Sequence, residues 1–236
     1  MHQHINSNFN SKYYRFFLPA ILILILLCIA SALWFDKQAG LYILPRHEVD
    51  LWKTIRLALA PLGKGAFQAG LLLIFTAACF ISRHKTGVKL CGRLLLAFLI
   101  SLVIVTALKH TFLRPRPNIP REPLPAYSMR LHASDWHSFP SGDVAVTVAM
   151  TVFLFIIFRT RRSIGLIWLW PVLVSIQRYI AARHYPSDIL TGWVLGFLTA
   201  WIILQFIPLQ IPVLEKRVED DSPRAIPCLD DGRDCG

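Results

Sequence analysis

Six apolar runs, each close to the length that crosses a bilayer, divide the chain: residues 16–35, 66–82, 94–113, 140–158, 164–182 and 189–208. About twenty consecutive apolar residues carry a helix through the hydrocarbon core, where only a helix or a closed barrel satisfies its own backbone. The pattern predicts an all-α integral membrane bundle of about six transmembrane helices over residues 16–208. Residues 1–15 are polar and read as a cytoplasmic N-terminal segment; residues 209–236 are polar, acidic and proline-bearing and read as a disordered cytoplasmic tail. Two local readings stay open. Ala30-Ser31-Ala32 resembles a signal-peptide cleavage site, so a removed leader competes with a first span. Residues 36–64 read either as a plain connecting loop or as a short interfacial amphipathic helix through Leu51, Trp52, Ile55 and Leu59, capped by Asp50.

Composition agrees with the pattern. Hydrophobic residues make up 55% of the 236 positions, and a mean hydropathy of +0.50 lies outside the soluble globular range. A net charge of +11 would suggest nucleic acid in a soluble chain. Here the cations cluster between apolar runs, at Arg83, Lys85, Lys89 and Arg93 and again at Arg159, Arg161 and Arg162, as cytoplasmic orientation signals do, so no nucleic-acid partner is expected. With those connections inside, alternation puts the polar clusters around Lys109, Asp143 and His184 together on the other face. The five cysteines follow neither a metal-ligand spacing nor a disulfide framework.

Each cluster has a chemical and a plain reading. Lys109 and Arg116 are seven residues apart, on the order of 10 Å along a helix axis, so both can reach one phosphate, the arginine as a fork and the lysine as a point charge. Snorkelling to headgroups is the plain account. Pro140 and Ser141 start a helix at which Gly142 lets an anion approach free N–H groups; an ordinary helix start, with Asp143 near the positive end of the dipole, explains the same residues. Arg178, His184 and Asp188 combine a nucleophilic imidazole with an anion-binding guanidinium and an orienting carboxylate, and charge at such a depth points to function. An Arg178–Asp188 ion pair with His184 as bystander is the alternative. Gly192 and Gly196, at intervals of four after Asp188, predict close helix packing beneath.

In chain order these residues resemble the three-part signature of the type 2 phosphatidic acid phosphatase (PAP2) superfamily: Lys, six residues, Arg-Pro; Pro-Ser-Gly-His; and Ser-Arg, five residues, His, three residues, Asp. Lys109 and Arg116-Pro117 complete the first part. Pro140-Ser141-Gly142 form the second, with Asp143 where the family has histidine. Arg178, His184 and Asp188 form the third, with Gln177 in place of serine. The likeness covers residues 94–204. It implies an all-helical phosphatase needing no metal or cofactor. His184 would attack phosphorus in line while Asp188 holds its other ring nitrogen. Lys109, Arg116, Arg178 and the amides near Ser141 and Gly142 would stabilise the equatorial oxygens, and water would then cleave the phosphohistidine.

The family's histidine at position 143 is assigned the proton given to the leaving oxygen, and aspartate supplies one only in its protonated form. Either Asp143 works as the acid, or the leaving group needs little help, as for a diphosphate such as undecaprenyl diphosphate; His137 is a substitute donor. The resemblance implies a membrane lipid phosphate as substrate partner, with undecaprenyl diphosphate, lipid A and phosphatidylglycerol phosphate all served by relatives. It also implies a bacterial inner membrane with the site facing the periplasm. A lipid-to-lipid phosphotransferase uses the same residues, and a non-catalytic protein that binds or transports anionic lipid is the alternative outside enzymology.

Overall fold

The computed structural model describes residues 19–45, 49–83, 85–119, 125–157 and 161–206, so the N-terminal segment, Arg159 and the tail lie outside the described residues. Within them the regular structure is helical: α1 (Pro19–Ile43), α2 (Asp50–Gly63), α3 (Gly65–Ile81), α4 (Lys85–Phe112), α5 (Tyr127–His132), α6 (Gly142–Ile157), α7 (Arg161–Ile180) and α8 (Pro186–Phe206).

The helices run on where charge interrupts the apolar pattern. α1 continues past Asp36 instead of ending before it. A π turn over Ser31–Phe35 shifts the register by inserting a residue into the spiral. Asp36 is only 3% exposed, and its Oδ1 accepts a bond from Ser31 Oγ at 3.0 Å. α4 begins at Lys85, so Lys89 and Arg93, expected in a cytoplasmic loop, are helical. Lysine and arginine are good helix formers whose stems lie along apolar surface, so their charge does not end a helix. Of the two readings for residues 36–64, the structure has the helix, α2. Asp50 is not its cap: Val49 holds that position without a side-chain bond, and Asp50 sits in the first turn, where an acid complements the dipole.

α1, the Gly87–Phe112 part of α4, and α8 are long and apolar enough to cross a membrane, and α2 with α3, bent by 43°, make a fourth if counted as one broken span. α6 and α7 hold shorter apolar stretches, Gly142–Phe155 and Gly165–Ile180. By length and composition three or four helices among the described residues qualify as crossings, and α6 and α7, which the sequence pattern also counts toward its six, are shorter. Exposed Leu26, Leu33, Ile74, Phe80, Val103 and Phe206 give the bundle an apolar outside, as lipid contact requires.

α6 is the central helix, packed by α4, α7 and α8. Val144, Ala145, Val148, Ala149 and Phe153 are fully buried, and a helix apolar on every side is one surrounded by protein. α8 reaches it through the two glycines. A Cβ on Gly192 would lie 2.7 Å from the Ser141 carbonyl oxygen, and one on Gly196 would lie 2.6 Å from that of Ala145. Backbone cannot swing aside, so Gly192→Ala must part α8 from α6. The expected cost is about 1–3 kcal/mol, read as a lower thermal midpoint in detergent. An unchanged midpoint would remove the glycine seam as a reason for this packing.

Candidate active site

Two helix ends supply the strained turns that bring the site together. α4 is followed by Leu113 (φ 44°) and α7 by Ala182 (φ 50°), both left-handed without being glycine. Each such residue costs about 1–2 kcal/mol. The first turn aims Arg114 inward. The second folds Arg183, His184 and Tyr185 back across the helix ends before Pro186, suited to a first helical turn, starts α8.

His184 is 4% exposed, with Nδ1 2.6 Å from the Ser138 carbonyl oxygen. A carbonyl only accepts, so Nδ1 carries the proton and Nε2 keeps its lone pair. Burial first, then the charges of Lys109 and Arg178, hold the imidazole well below its ordinary value of 6.5, which keeps it neutral. A histidine whose folded pKa is depressed favours the fold above pH 6.5, and that contribution is lost as pH falls through the lowered value.

Asp188 does not hold the ring directly: its Oδ2 is 3.9 Å from His184 Nδ1, too far for a hydrogen bond. The same oxygen accepts from Ser138 Oγ at 2.5 Å and from the Tyr185 amide at 2.9 Å. Ser138 is thus the link, holding the imidazole with its carbonyl and the carboxylate with its hydroxyl. Asp188 Oδ1 accepts from Arg114 Nη1 at 2.5 Å, while Arg114 Nη2 donates to Asp36 Oδ2 at 2.6 Å. Asp36 also accepts from the Ser187 amide at 3.1 Å and from the Ser187 hydroxyl. Arg114 lies 4.2 Å over the Tyr185 ring. Burial works against its charge, but Asp188 and Asp36 outweigh it and raise its pKa.

Arg114 and Asp36 escape the sequence reading, and Ser138, at the head of the second cluster, is given no role in it. Arg114 belongs to a second Arg-Pro just before the matched one, and Asp36 reads as the polar end of an apolar run.

The cationic side of the site comes from the ends of α4 and α7, set against the start of α6. A Cβ on Gly142 would stand 3.9 Å from Lys109 Nζ and 2.9 Å from Val105, so the ammonium lies beside the start of α6 and glycine is the residue that fits. Arg178 Nη2 pairs with Asp143 Oδ2 at 3.0 Å and donates to the Gly63 carbonyl at 2.9 Å. The alternative Arg178–Asp188 pair is not formed, since Arg114 takes that carboxylate. The Ser141 amide donates to the Asp188 carbonyl at 3.0 Å, so it is not free for an anion as the resemblance implies. Its hydroxyl Oγ, Arg116 Nε and Arg178 Nε are each buried without a partner among the described residues. All three are donors. Buried donors without acceptors are uncommon, and a tetrahedral oxyanion offers the acceptors they lack. Burial first, then the charge of Arg183, lowers the pKa of Arg116, a crowding that an anion relieves.

His137 stands edge-on to His110 at 4.8 Å between ring centroids, with Nε2 buried and without a partner among the described residues. Burial, then His110 and Lys109, lower its pKa, so its proton-donating form is scarcer than in an ordinary histidine. Among the described residues, no group of three or more His, Cys, Asp or Glu is arranged to hold a metal ion.

In this helical membrane bundle the three motif segments converge on one cluster of cations around a buried histidine. The sequence matches the PAP2 superfamily over residues 91–212, more than half of the chain, and the protein belongs to that superfamily. It is 28% identical over 134 residues to a lipid A 4'-phosphatase of Bacteroides thetaiotaomicron, covering 54% of this chain and 58% of that protein. It is 31% identical over 150 residues to an undecaprenyl-diphosphatase of Sulfolobus acidocaldarius, covering 60% of each. The matches therefore span somewhat under two thirds of these curated relatives. The crystal structure of Aquifex aeolicus LpxE superposes with a TM-score of 0.56 at 26% identity, covering 72% of this chain and 94% of that one.

Proposed function

We propose that the protein is a metal-independent lipid phosphatase that removes a phosphate or diphosphate-terminal phosphate from a membrane lipid through a phosphohistidine. The observation that carries the reading is the set of buried donors without acceptors, Ser141 Oγ, Arg116 Nε and Arg178 Nε, around a neutral imidazole with a free lone pair. His184 Nε2 forms a bond to phosphorus as the bond to the leaving oxygen breaks. Lys109, Arg116 and Arg178 bind the equatorial oxygens, with the Gly142 amide and Ser141 hydroxyl completing the cradle. Water then attacks phosphorus, releasing inorganic phosphate and restoring the imidazole. Asp188 positions His184 through Ser138.

The names of the relatives favour a lipid-linked substrate. In the proposed topology six segments cross a bacterial inner membrane and the site lies at the periplasmic headgroup level. Purified protein in detergent with a chelator is expected to release phosphate from undecaprenyl diphosphate. No release from that lipid, from lipid A or from phosphatidylglycerol phosphate would end the proposal.

The leaving-group proton divides substrates. Asp143 Oδ2 lies 3.0 Å from Arg178 Nη2, and a carboxylate in that pair accepts; to serve the leaving oxygen it must first take a proton. Diphosphates, which leave as phosphate, are therefore expected to react faster than simple phosphomonoesters. Asp143→Asn should lower monoester turnover by about 10²-fold, the usual worth of a general acid, and diphosphate turnover far less. His137→Ala, run beside it, should change neither by much. Equal losses on both lipids would remove Asp143 as a proton donor.

A further inference from the structure

Beside the phosphate site, between α2 and the end of α7, lies a cleft of ≈ 340 Å³ lined by Arg56, Lys64, Gln177, Arg178 and Arg183 together with Leu57, Ala60 and Ala181. Its lining holds four cations and no carboxylate. The ammonium of Lys64 and the guanidinium of Arg183 make no ion pair among the described residues. Arg178 has a buried Nε–H donor without a partner among the described residues. Lys64 and Arg183 are exposed and Arg56 and Arg178 half-buried, and all four line the same cleft. They converge on a concave wall, and one of them, Arg178, also reaches Asp143 at the proposed phosphate site.

We infer that this cleft is a second anion subsite, which takes the phosphate that is not transferred when the substrate carries two joined phosphates. The inference rests on the phosphatase reading and names a substrate class for it. Arg178 Nη2 is committed to Asp143 and Gly63, which leaves its Nε–H and Nη1 hydrogens to be divided between the transferred phosphate and the adjoining one. In the proposed pose the terminal phosphorus sits over His184 Nε2 and the neighbouring phosphate occupies the cleft with Arg56 and Lys64. When the bridging P–O bond breaks, its electron pair and the new negative charge stay on that phosphate, among cations. Charge stabilisation there substitutes for a donated proton, which fits an aspartate tied to Arg178 at the position of the family's acid.

The test uses the full-length protein with Lys64→Gln, Arg56→Gln and the double variant. Substrates are a prenyl diphosphate and the prenyl monophosphate of the same chain length. Each charge-assisted contact removed is expected to lower kcat/KM on the diphosphate by about tenfold, and on the monophosphate by less than about threefold. Equal losses on the two lipids, or no loss, overturn the subsite. A second arm measures binding of inorganic diphosphate and inorganic phosphate to the His184→Ala protein, which separates this inference from the activity. Tighter binding of diphosphate that Lys64→Gln abolishes supports the cleft even if no lipid is hydrolysed. Equal binding of the two anions overturns it. Inhibition by free phosphate that the variants relieve, with diphosphate turnover intact, would make the cleft a product site and also overturn it.

Discussion

Replacing His184 by alanine should abolish phosphate release, with a loss on the order of 10⁵-fold, the scale seen when a covalent nucleophile is removed. The expectation follows from three facts about one side chain. Its Nδ1 proton is committed to the Ser138 carbonyl at 2.6 Å, so Nε2 is the free base. Burial and then the charges of Lys109 and Arg178 keep the ring neutral, and a protonated imidazole cannot attack phosphorus. The same cations that make protonation unfavourable bind the phosphate that the ring attacks. Two measurements tie the loss to chemistry and not to folding. Wild-type protein quenched during turnover should carry acid-labile, alkali-stable phosphate that His184→Ala lacks. Ring nitrogen shifts in labelled protein should show His184 still neutral as the pH falls through 6.5, since its pKa lies well below that value. A phosphoenzyme surviving in His184→Ala would move the nucleophile elsewhere.

Arg114→Ala is expected to be the most destabilising single change near the site, by about 3–5 kcal/mol, the cost of leaving buried charge uncompensated. Arg114 joins two carboxylates, Asp36 at 2.6 Å and Asp188 at 2.5 Å, that are 5% and 0% exposed in their side chains. Without the guanidinium both are buried anions facing one another. Arg114→Lys keeps the charge but cannot bridge the two, nor stack on Tyr185 in the same way; it should recover part of the stability and little of the activity. Asp36→Asn, more distant from phosphorus, isolates the positioning effect. It should lower kcat by about 10–100-fold, as changes behind a functional group commonly do, and leave KM nearly unchanged. A matched rise in KM, or full activity in both variants, would reduce the Asp36–Arg114–Asp188 chain to scaffolding.

Much of the architecture was legible in the sequence because bilayer physics writes it there. Uninterrupted apolar stretches specify helices, so α3, α6, α7 and α8 fall within a few residues of the expected runs. Errors collect where charge stops an apolar run without stopping a helix. Asp36 was legible only as an end, because nothing local reveals that Ser31, Arg114 and Ser187 satisfy it inside the bundle. Lys89 and Arg93 were legible as orientation signals, which composition alone assigns to a loop, although helix propensity places them in α4.

Of the site, the sequence by itself determined which residue types come together: a histidine, two carboxylates, three cations and a glycine helix start, spaced so that each falls at the end of a helix. The order of the three motif segments and their match to the superfamily carry that grouping. The tertiary structure decided who bonds to whom. Hydrogen bonds reach only about 3 Å, so whether Asp188 touches His184, or Arg178 pairs with Asp188 or Asp143, turns on an ångström of helix-end geometry that residue spacing does not encode. The Ser138 link, the Arg114 bridge to α1 and the basic cleft against α2 all join segments far apart in the chain, and such meetings exist only once the helices have packed.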